Sequence, residues 1–131
     1  MKVHHIGLIV KSIEKSSNIY AKLGYEPMTN VVLDEIQSNR VMFMKSSDHL
    51  QTIELIEPIN ASSSVYNFKE GYHHICYEID TGSNFIEEFK KMKIGKIFTQ
   101  PIPAPAIDNR EVMFACLNNG MFIEFLTGEK P

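Results

Sequence analysis

The sequence GYHHICYEI at residues 71–79 opens an apolar run with two histidines, and VHHIGLIV at residues 3–10 does the same. Both runs are rich in β-branched residues or tyrosine, which is typical of strands. Because side chains alternate between the faces of a strand, His5 and His74 must point away from the histidines that precede them. The recurrence predicts that the chain contains two copies of one structural unit.

Two further matches follow in the same order. The segment Asn-Arg at 39–40, followed by Val-Met-Phe at 41–43, recurs at 109–110 and, after one extra residue, at 112–114. Ile-Glu-Leu at 53–55 recurs as Ile-Glu-Phe at 123–125. The offsets all lie between 69 and 71 residues, so we interpret the halves as structural repeats.

The first half reads as a strand, a helix and three further strands. The helix is expected to begin after Ser12, to turn Ile13, Tyr20 and Leu23 inward, and to stop at Gly24. The predicted strands of this half cover 3–10, 25–34, 40–45 and 50–57.

The second half repeats this series. A helix is predicted from about Ser83, with Phe85, Phe89 and Met92 inward, and Asn119-Gly120 predicts a hairpin. The predicted strands of this half cover 72–79, 96–99, 110–117 and 121–127.

The pattern therefore predicts an α+β fold of two βαβββ modules. The modules cover residues 1–59 and 71–131 of a single domain, and residues 60–70 form the linker. One module alone cannot bury both faces of its sheet, so two must pair into a concave, partly open, barrel-like sheet. This pairing can occur within the chain or across a dimer.

Composition excludes some classes of function. The 131 residues carry a net charge of −3, which offers no basic surface for nucleic acid. The N-terminus resembles neither a signal peptide nor a membrane span, so we expect a cytoplasmic protein with no membrane partner. Cys76 and Cys116 lie in strand-like runs without CxxC spacing and are expected to be buried free thiols.

Glu54 and Glu124 interrupt apolar strands at matching places in the repeat. A carboxylate is costly to bury unless a positive charge compensates it. His5 precedes Glu54 by 49 residues and His74 precedes Glu124 by 50, which suggests two nitrogen and two oxygen ligands around one cation. This set suits Ni, Co, Zn, Fe or Mn. The alternative is that the histidines are ordinary core residues and the glutamates pair with local cations.

The motifs VHHIGLIV, LGYEP, IELIEP, HHICYEI and FIEFL, in this order, resemble the vicinal oxygen chelate superfamily. That group contains glyoxalase I, methylmalonyl-CoA epimerase, extradiol dioxygenases and antibiotic resistance proteins. The resemblance implies paired βαβββ modules around a divalent metal, with ligands at His5, Glu54, His74 and Glu124. It also implies a small-molecule substrate and a homodimer.

The four-ligand set resembles that of bacterial glyoxalase I, whereas methylmalonyl-CoA epimerase usually carries Gln where Glu54 stands. The resemblance thus implies a metal-dependent lyase or isomerase of glyoxalase I type, which moves a proton next to a carbonyl through an enediolate or enolate. Glu124 and Glu54 are the expected proton carriers, and Asp34 or Glu35 is an alternative base. An epimerase-like racemase and a non-catalytic small-molecule-binding protein are the alternatives.

Arg110 and its sequence counterpart Arg40 are predicted to bind an anionic group of the substrate. The alternative is that they pair with Asp108, Asp34 or Glu35. Residues 100–110, with prolines at 101, 103 and 105, are interpreted either as a stiff rim over the site or as a plain linker.

Overall fold

The computed structural model describes residues 1–79 and 84–127, which contain ten strands and two α-helices. The chain divides into two compact units. The N-terminal unit is His5–His73, and the C-terminal unit joins Met1–His4 to the chain from His74 onward. The predicted α+β class is confirmed, while the domain boundaries at 59 and 71 stay a prediction. None of the helices in the described ranges combines the length and the hydropathy needed to cross a membrane.

The N-terminal unit has four strands in the order β2-β4-β5-β1, with β3 beside β4. Strand β1 runs parallel to β5, and β4 runs antiparallel to β5. The elements are β1 Lys2–Ile9, α1 Ile13–Lys22, β2 Tyr25–Pro27, β3 Val32–Asp34, β4 Asn39–Ser46 and β5 Thr52–Pro58.

The C-terminal unit has the same plan, with strand order β6-β10-β9-β7 and β8 beside β9. Strand β6 runs parallel to β10, and β9 runs antiparallel to β10. The elements are β6 Gly71–Glu78, α2 Phe85–Met92, β7 Gly95–Ile97, β8 Ile102–Ala104, a 3-10 turn Pro105–Ile107, β9 Arg110–Leu117 and β10 Phe122–Leu126. The predicted duplication is therefore present in the architecture.

Helix α1 begins and ends where the sequence predicts. The Oγ atom of Ser12 accepts a hydrogen bond from the backbone N–H of Lys15, and Gly24 takes a φ of 96° just after the helix. Ile13 is buried as predicted, but Leu23 is 70% exposed. The prediction for Leu23 was wrong because the helix ends at Lys22, so that Leu23 is the cap and no longer follows the helical repeat.

Helix α2 turns Phe85 and Phe89 into the core, where both contact Phe125. Met92, which was predicted to be inward, is 51% exposed because the helix ends there. The predicted start at Ser83 lies outside the described residues. The predicted hairpin forms between β9 and β10, and Gly120 in its turn has a φ of 86°.

The predicted strand 25–34 is wrong in one respect, because it is two strands, β2 and β3. In the gap, the Oγ1 atom of Thr29 accepts the backbone N–H of Phe43 at 3.1 Å. Thr99 accepts the N–H of Phe114 in the same way at 2.8 Å, between β7 and β8. A side-chain hydroxyl thus replaces a backbone acceptor in each unit and lets the outer strand bend. The proline-rich segment is accordingly neither a plain linker nor wholly irregular, since it contains β8.

Each sheet has one face covered by its helix and a second face that carries the predicted ligands, here called the histidine face. In the C-terminal unit, Phe85 and Phe89 pack on the odd-numbered residues of β9 and β10. The even-numbered residues therefore form the histidine face. In the N-terminal unit, Ile13 packs on Met44, Ile53 and Leu55, which leaves the opposite face to the ligands. The histidine face carries His5, Phe43 and Glu54 in one unit and His74, Phe114 and Glu124 in the other.

One end of each histidine face is covered. In the N-terminal unit, Val65 packs on Ile9 and Ile56, so the predicted linker contributes to the core. In the C-terminal unit, β8 and the 3-10 turn do the same. There, Ile102, Ala104 and Ile107 pack on Cys76, Val112 and Leu126.

Candidate metal centre

The first candidate half-site lies in the N-terminal unit. The Nε2 atom of His5 is 3.3 Å from the Oε1 atom of Glu54, and the two side chains are 1% and 14% exposed. Glu54 lies opposite Gly7 on β1 and opposite Phe43 on β4. The ring of Phe43 meets His5 edge-on at a centroid distance of 4.9 Å. The imidazole is thus held between a carboxylate and an aromatic ring.

The second half-site lies in the C-terminal unit and repeats this geometry. The Nε2 atom of His74 is 3.3 Å from the Oε1 atom of Glu124, with side chains 1% and 6% exposed. Glu124 lies opposite Cys76 on β6 and opposite Phe114 on β9. The ring of Phe114 meets His74 edge-on at 5.6 Å.

Strand register explains why both half-sites form. In each unit the glutamate pairs with the residue two places after the histidine, Gly7 or Cys76, across a parallel ladder. Residues two apart share a face, so the carboxylate is placed beside the imidazole. The near-identical sequence spacing of the two pairs is the consequence of this register.

The donor atoms suit a divalent transition metal. Each half-site supplies one imidazole nitrogen and one carboxylate oxygen, which are the ligands that Zn, Ni, Co, Fe and Mn accept. Two ligand atoms that each lie about 2.0–2.1 Å from one ion, at tetrahedral or octahedral angles, are about 2.9–3.4 Å apart. The Nε2–Oε1 distance of 3.3 Å in both pairs falls in that range. Each pair is therefore spaced as two ligands of a shared ion would be.

Arg40 lies on the helix face of the N-terminal unit, opposite to the face with His5. Its guanidinium is 2.6 Å from Glu14 of α1 and 2.7 Å from Glu57 of β5. The hydrogen bond from Arg40 lowers the pKa of Glu14, and the hydrogen bonds to both carboxylates raise the pKa of Arg40. This cluster joins the helix to the sheet.

Arg110 lies on the histidine face of the C-terminal unit, where its Nη2 atom is 2.9 Å from Glu78. This hydrogen bond, more than the charge of Arg110, lowers the pKa of Glu78. Arg40 and Arg110 are thus on different faces, although they match in sequence. The extra residue Glu111 shifts the register by one, which exchanges the faces. Arg110 consequently takes the place of the buried Asn39, and substrate binding by either arginine stays a prediction.

Asp34, the alternative base, is buried and accepts hydrogen bonds from the backbone and side-chain nitrogens of Gln37 at 3.0 and 3.3 Å. It lies opposite Asn39, on the histidine face of β3. Glu35 is exposed. The carboxylate of Asp34 is therefore on the same face as Glu54. The two are separated along the strand direction, because Asp34 lies opposite Asn39 of β4 and Glu54 lies opposite Phe43.

The sequence interpretation missed the two phenylalanines of the half-sites and the two threonines beside them. Phe43 and Phe114 were visible as the last residue of the repeated Val-Met-Phe, but an apolar residue in a strand reads as ordinary core. Thr29 and Thr99 are 70 residues apart and would have marked the breaks in the outer strands.

Comparison with known proteins places this architecture among described families. A profile of the Glyoxalase/Bleomycin resistance protein/Dioxygenase superfamily matches residues 4–114. Mouse mitochondrial methylmalonyl-CoA epimerase is 26% identical over 98 residues, which cover 71% of this chain and 54% of that protein. The chain thus spans about half the length of the curated relative that it matches.

Solved structures match nearly the whole chain. Methylmalonyl-CoA epimerase from Mycobacterium tuberculosis superposes with a TM-score of 0.84 at 15% identity, over 98% of this chain and 88% of that one. A Streptomyces coelicolor methylmalonyl-CoA epimerase, solved with 2-nitronate-propionyl-CoA, gives a TM-score of 0.78 at 19% identity, over 98% and 97%. These similarities confirm the predicted fold.

Proposed function

The chain belongs to the Glyoxalase/Bleomycin resistance protein/Dioxygenase superfamily, and from that premise we propose that it is a metal-dependent epimerase that moves a proton at the carbon next to a thioester carbonyl. The observation that carries the proposal is the pair of buried His–Glu half-sites, His5–Glu54 and His74–Glu124, built on the same register. The similarity to methylmalonyl-CoA epimerases supports this choice of reaction within the superfamily.

The proposed centre unites the two half-sites around one divalent ion. A single half-site supplies only two protein ligands, which is fewer than the three or four that hold catalytic or structural zinc. Two half-sites supply four ligands and, around a six-coordinate ion, leave two positions for substrate. The ion would act as a Lewis acid that makes the proton next to the carbonyl more acidic.

The residues of this chain then have separate tasks. His5 and His74 would hold the ion, and the rings of Phe43 and Phe114 meet them edge-on. Ionised Glu124 would take the proton from one face of the substrate carbon, and Glu54, protonated at the start of the cycle, would give its proton to the other face. Proton exchange with water would then restore both groups. Asp34 is the alternative carrier for one of these transfers. Two carriers on opposite faces give inversion at the carbon.

A glyoxalase I-type isomerase is the second candidate, and one residue favours it. Glu54 is a carboxylate at the position where methylmalonyl-CoA epimerases usually carry Gln, so that the ligand set resembles that of bacterial glyoxalase I. In this reaction the same two carboxylates would move a hydrogen between neighbouring carbons of a hemithioacetal.

Proton exchange tests both candidates directly. The purified protein, reconstituted in turn with Ni, Co, Zn and Mn, is incubated in D2O with methylmalonyl-CoA and, separately, with the hemithioacetal of methylglyoxal and glutathione. We expect deuterium to enter C2 of methylmalonyl-CoA. Glu124→Gln should slow the exchange by about 10²–10⁴-fold, whereas the matched change Glu111→Gln, at an exposed glutamate of β9, should not slow it. Turnover of the hemithioacetal alone would favour the isomerase, and no exchange on either compound with any metal would contradict both.

A further inference from the structure

In the C-terminal unit, the end of the histidine face that lies away from β8 carries an aromatic and cationic row of side chains. Lys96 of β7 lies opposite Cys116 of β9, Cys116 lies opposite Phe122 of β10, and Phe122 lies opposite His74 of β6. Partners across a ladder share a face. Lys96 is therefore on the same face as His74, three strands away.

The packing of the neighbouring residue supports this assignment. Ile97 contacts the cluster that includes Phe85 and Phe89 of α2, so it is on the helix face. Because side chains alternate along β7, Lys96 must point to the other face. Lys96 is exposed.

An exposed aromatic side chain extends this row. Phe98 is 52% exposed, yet its ring stacks on Phe114 at 6.4 Å and meets Phe122 edge-on at 5.9 Å. Phe114 in turn contacts His74. A continuous aromatic surface thus leads from the half-site to a half-exposed ring near a surface lysine.

The N-terminal unit lacks such a surface at the same place. Its row contains Glu26 opposite Lys45, and Lys45 opposite Thr52, so the charges of the two outer positions oppose each other. Met28 replaces the exposed phenylalanine. Lys96 and Phe98 of the C-terminal unit thus correspond to Glu26 and Met28 of the N-terminal unit. A cationic and aromatic surface in one unit alone suits a substrate with one anionic, elongated arm.

We infer that Lys96 binds an anionic group of the substrate remote from the reacting carbon, and that Phe98 and Phe122 contact the elongated arm between them. Three strand spacings place the Cα of Lys96 about 14 Å from that of His74. This separation suits the phosphates of a CoA-type carrier, which lie beyond a long pantetheine arm. The inference rests on the proposed function, because it takes the thioester to be held at the half-sites.

Binding measurements on the purified protein test the inference apart from catalysis. Calorimetric titration with propionyl-CoA compares the wild type with Lys96→Gln, and propionyl-pantetheine serves as the probe without phosphates. We expect Lys96→Gln to weaken propionyl-CoA binding by about three- to tenfold, as for loss of one charge-assisted contact near the surface. Binding of propionyl-pantetheine should not change. In the exchange assay, the variant should raise KM for methylmalonyl-CoA and leave kcat unchanged.

The matched control is Lys91→Gln, which removes the same charge from the same basic stretch but lies on α2, and it should leave both affinities unchanged. Equal affinity of Lys96→Gln and wild type for propionyl-CoA would overturn the inference, as would equal weakening of both probes. If Lys96→Gln weakened S-lactoylglutathione and not propionyl-CoA, the remote anion would be a carboxylate and the assignment to phosphate would be wrong. If the wild type exchanged deuterium but Lys96→Gln bound propionyl-CoA normally, the proposed function would stand and only the inference about Lys96 would be wrong. If the wild type exchanged no deuterium but Lys96→Gln bound propionyl-CoA more weakly, only the proposed function would be wrong.

Discussion

The two half-sites share their donors and differ in their surroundings. Glu54 is 14% exposed and faces Gly7, whereas Glu124 is 6% exposed and faces Cys76. Gly7 has no side chain to place beside Glu54, whereas the side chain of Cys76 lies on the same face as Glu124. Duplication has thus kept the ligand register and altered what surrounds it, so that two equivalent carboxylates can have unequal roles.

The largest expected effect comes from exchanging each carboxylate in turn. Glu124→Gln should lower kcat by about 10²–10⁴-fold, because it removes both a ligand and the principal proton carrier. Glu54→Gln should slow deuterium exchange less, by about tenfold, since an amide can still offer an oxygen to the ion, but it should stop inversion at the carbon because an amide cannot return the proton. Steady-state exchange kinetics and metal content measure both. Equal losses would show that the two half-sites are functionally equivalent.

Removal of the ion should destabilise both units. A chelator should lower Tm by about 4 °C for each kcal/mol of binding free energy lost, and addition of Ni or Co should restore it. In His5→Ala and His74→Ala, the chelator should have little further effect. Differential scanning fluorimetry measures these shifts, and a wild type insensitive to the chelator would argue against a shared ion.

The covering segments should contribute unequally to stability. Val65→Ala should cost about 1–3 kcal/mol of unfolding free energy, because Val65 is 3% exposed and fills the end of the N-terminal histidine face. Ile102→Val should cost about 0.5–1 kcal/mol, since Ile102 is only partly buried. Urea denaturation compares them, and a larger effect at Ile102 would reverse the ranking.

The smallest expected effect concerns pH. The pKa of Glu78 is lowered in the folded protein, so its ionised form is favoured by folding. The stabilisation is complete above its ordinary pKa of 4.5 and is lost as the pH falls through the folded value. Glu78→Gln should therefore be less stable than wild type at pH 7 by at most about 1 kcal/mol.

This difference should disappear at strongly acid pH. Denaturation at several pH values measures it, and Glu111→Gln is the control. A difference that grew on acidification would contradict the assigned pair.

Much of this architecture could be predicted from the sequence, because the repeated His-His-Ile and Ile-Glu segments carry the strand pairing with them. The His–Glu pairs could be predicted from the matched spacing together with two glutamates that interrupt apolar strands, and the parallel ladders explain why matched spacing gives matched contact. The roles of Arg40 and Arg110 could not be predicted in this way. The inserted residue Glu111 leaves Arg110 matched with Arg40 in sequence but places it on the opposite face of its sheet. Only the register of the strand pairs shows which face each arginine occupies.

The ends of the elements were predicted less well for a different reason. Leu23 comes directly after the last residue of α1 and Met92 is the last residue of α2, so both lie where the helical repeat ends and neither is buried. The break at Thr29 was missed because a hydroxyl that replaces a backbone acceptor leaves no periodic signal. At these positions, local hydrogen bonding determines where the element ends, and the hydrophobic pattern of the sequence does not show it.

The broken outer strands have a consequence for the behaviour of the protein in concentrated solution. Strands β2, β3, β7 and β8 have three residues each, and Pro27 and Pro103 lie within them. A short strand interrupted by proline offers few free donors and acceptors to a strand from another molecule. The bends at Thr29 and Thr99, which shape each sheet, thereby also protect its outer strands against edge-to-edge aggregation.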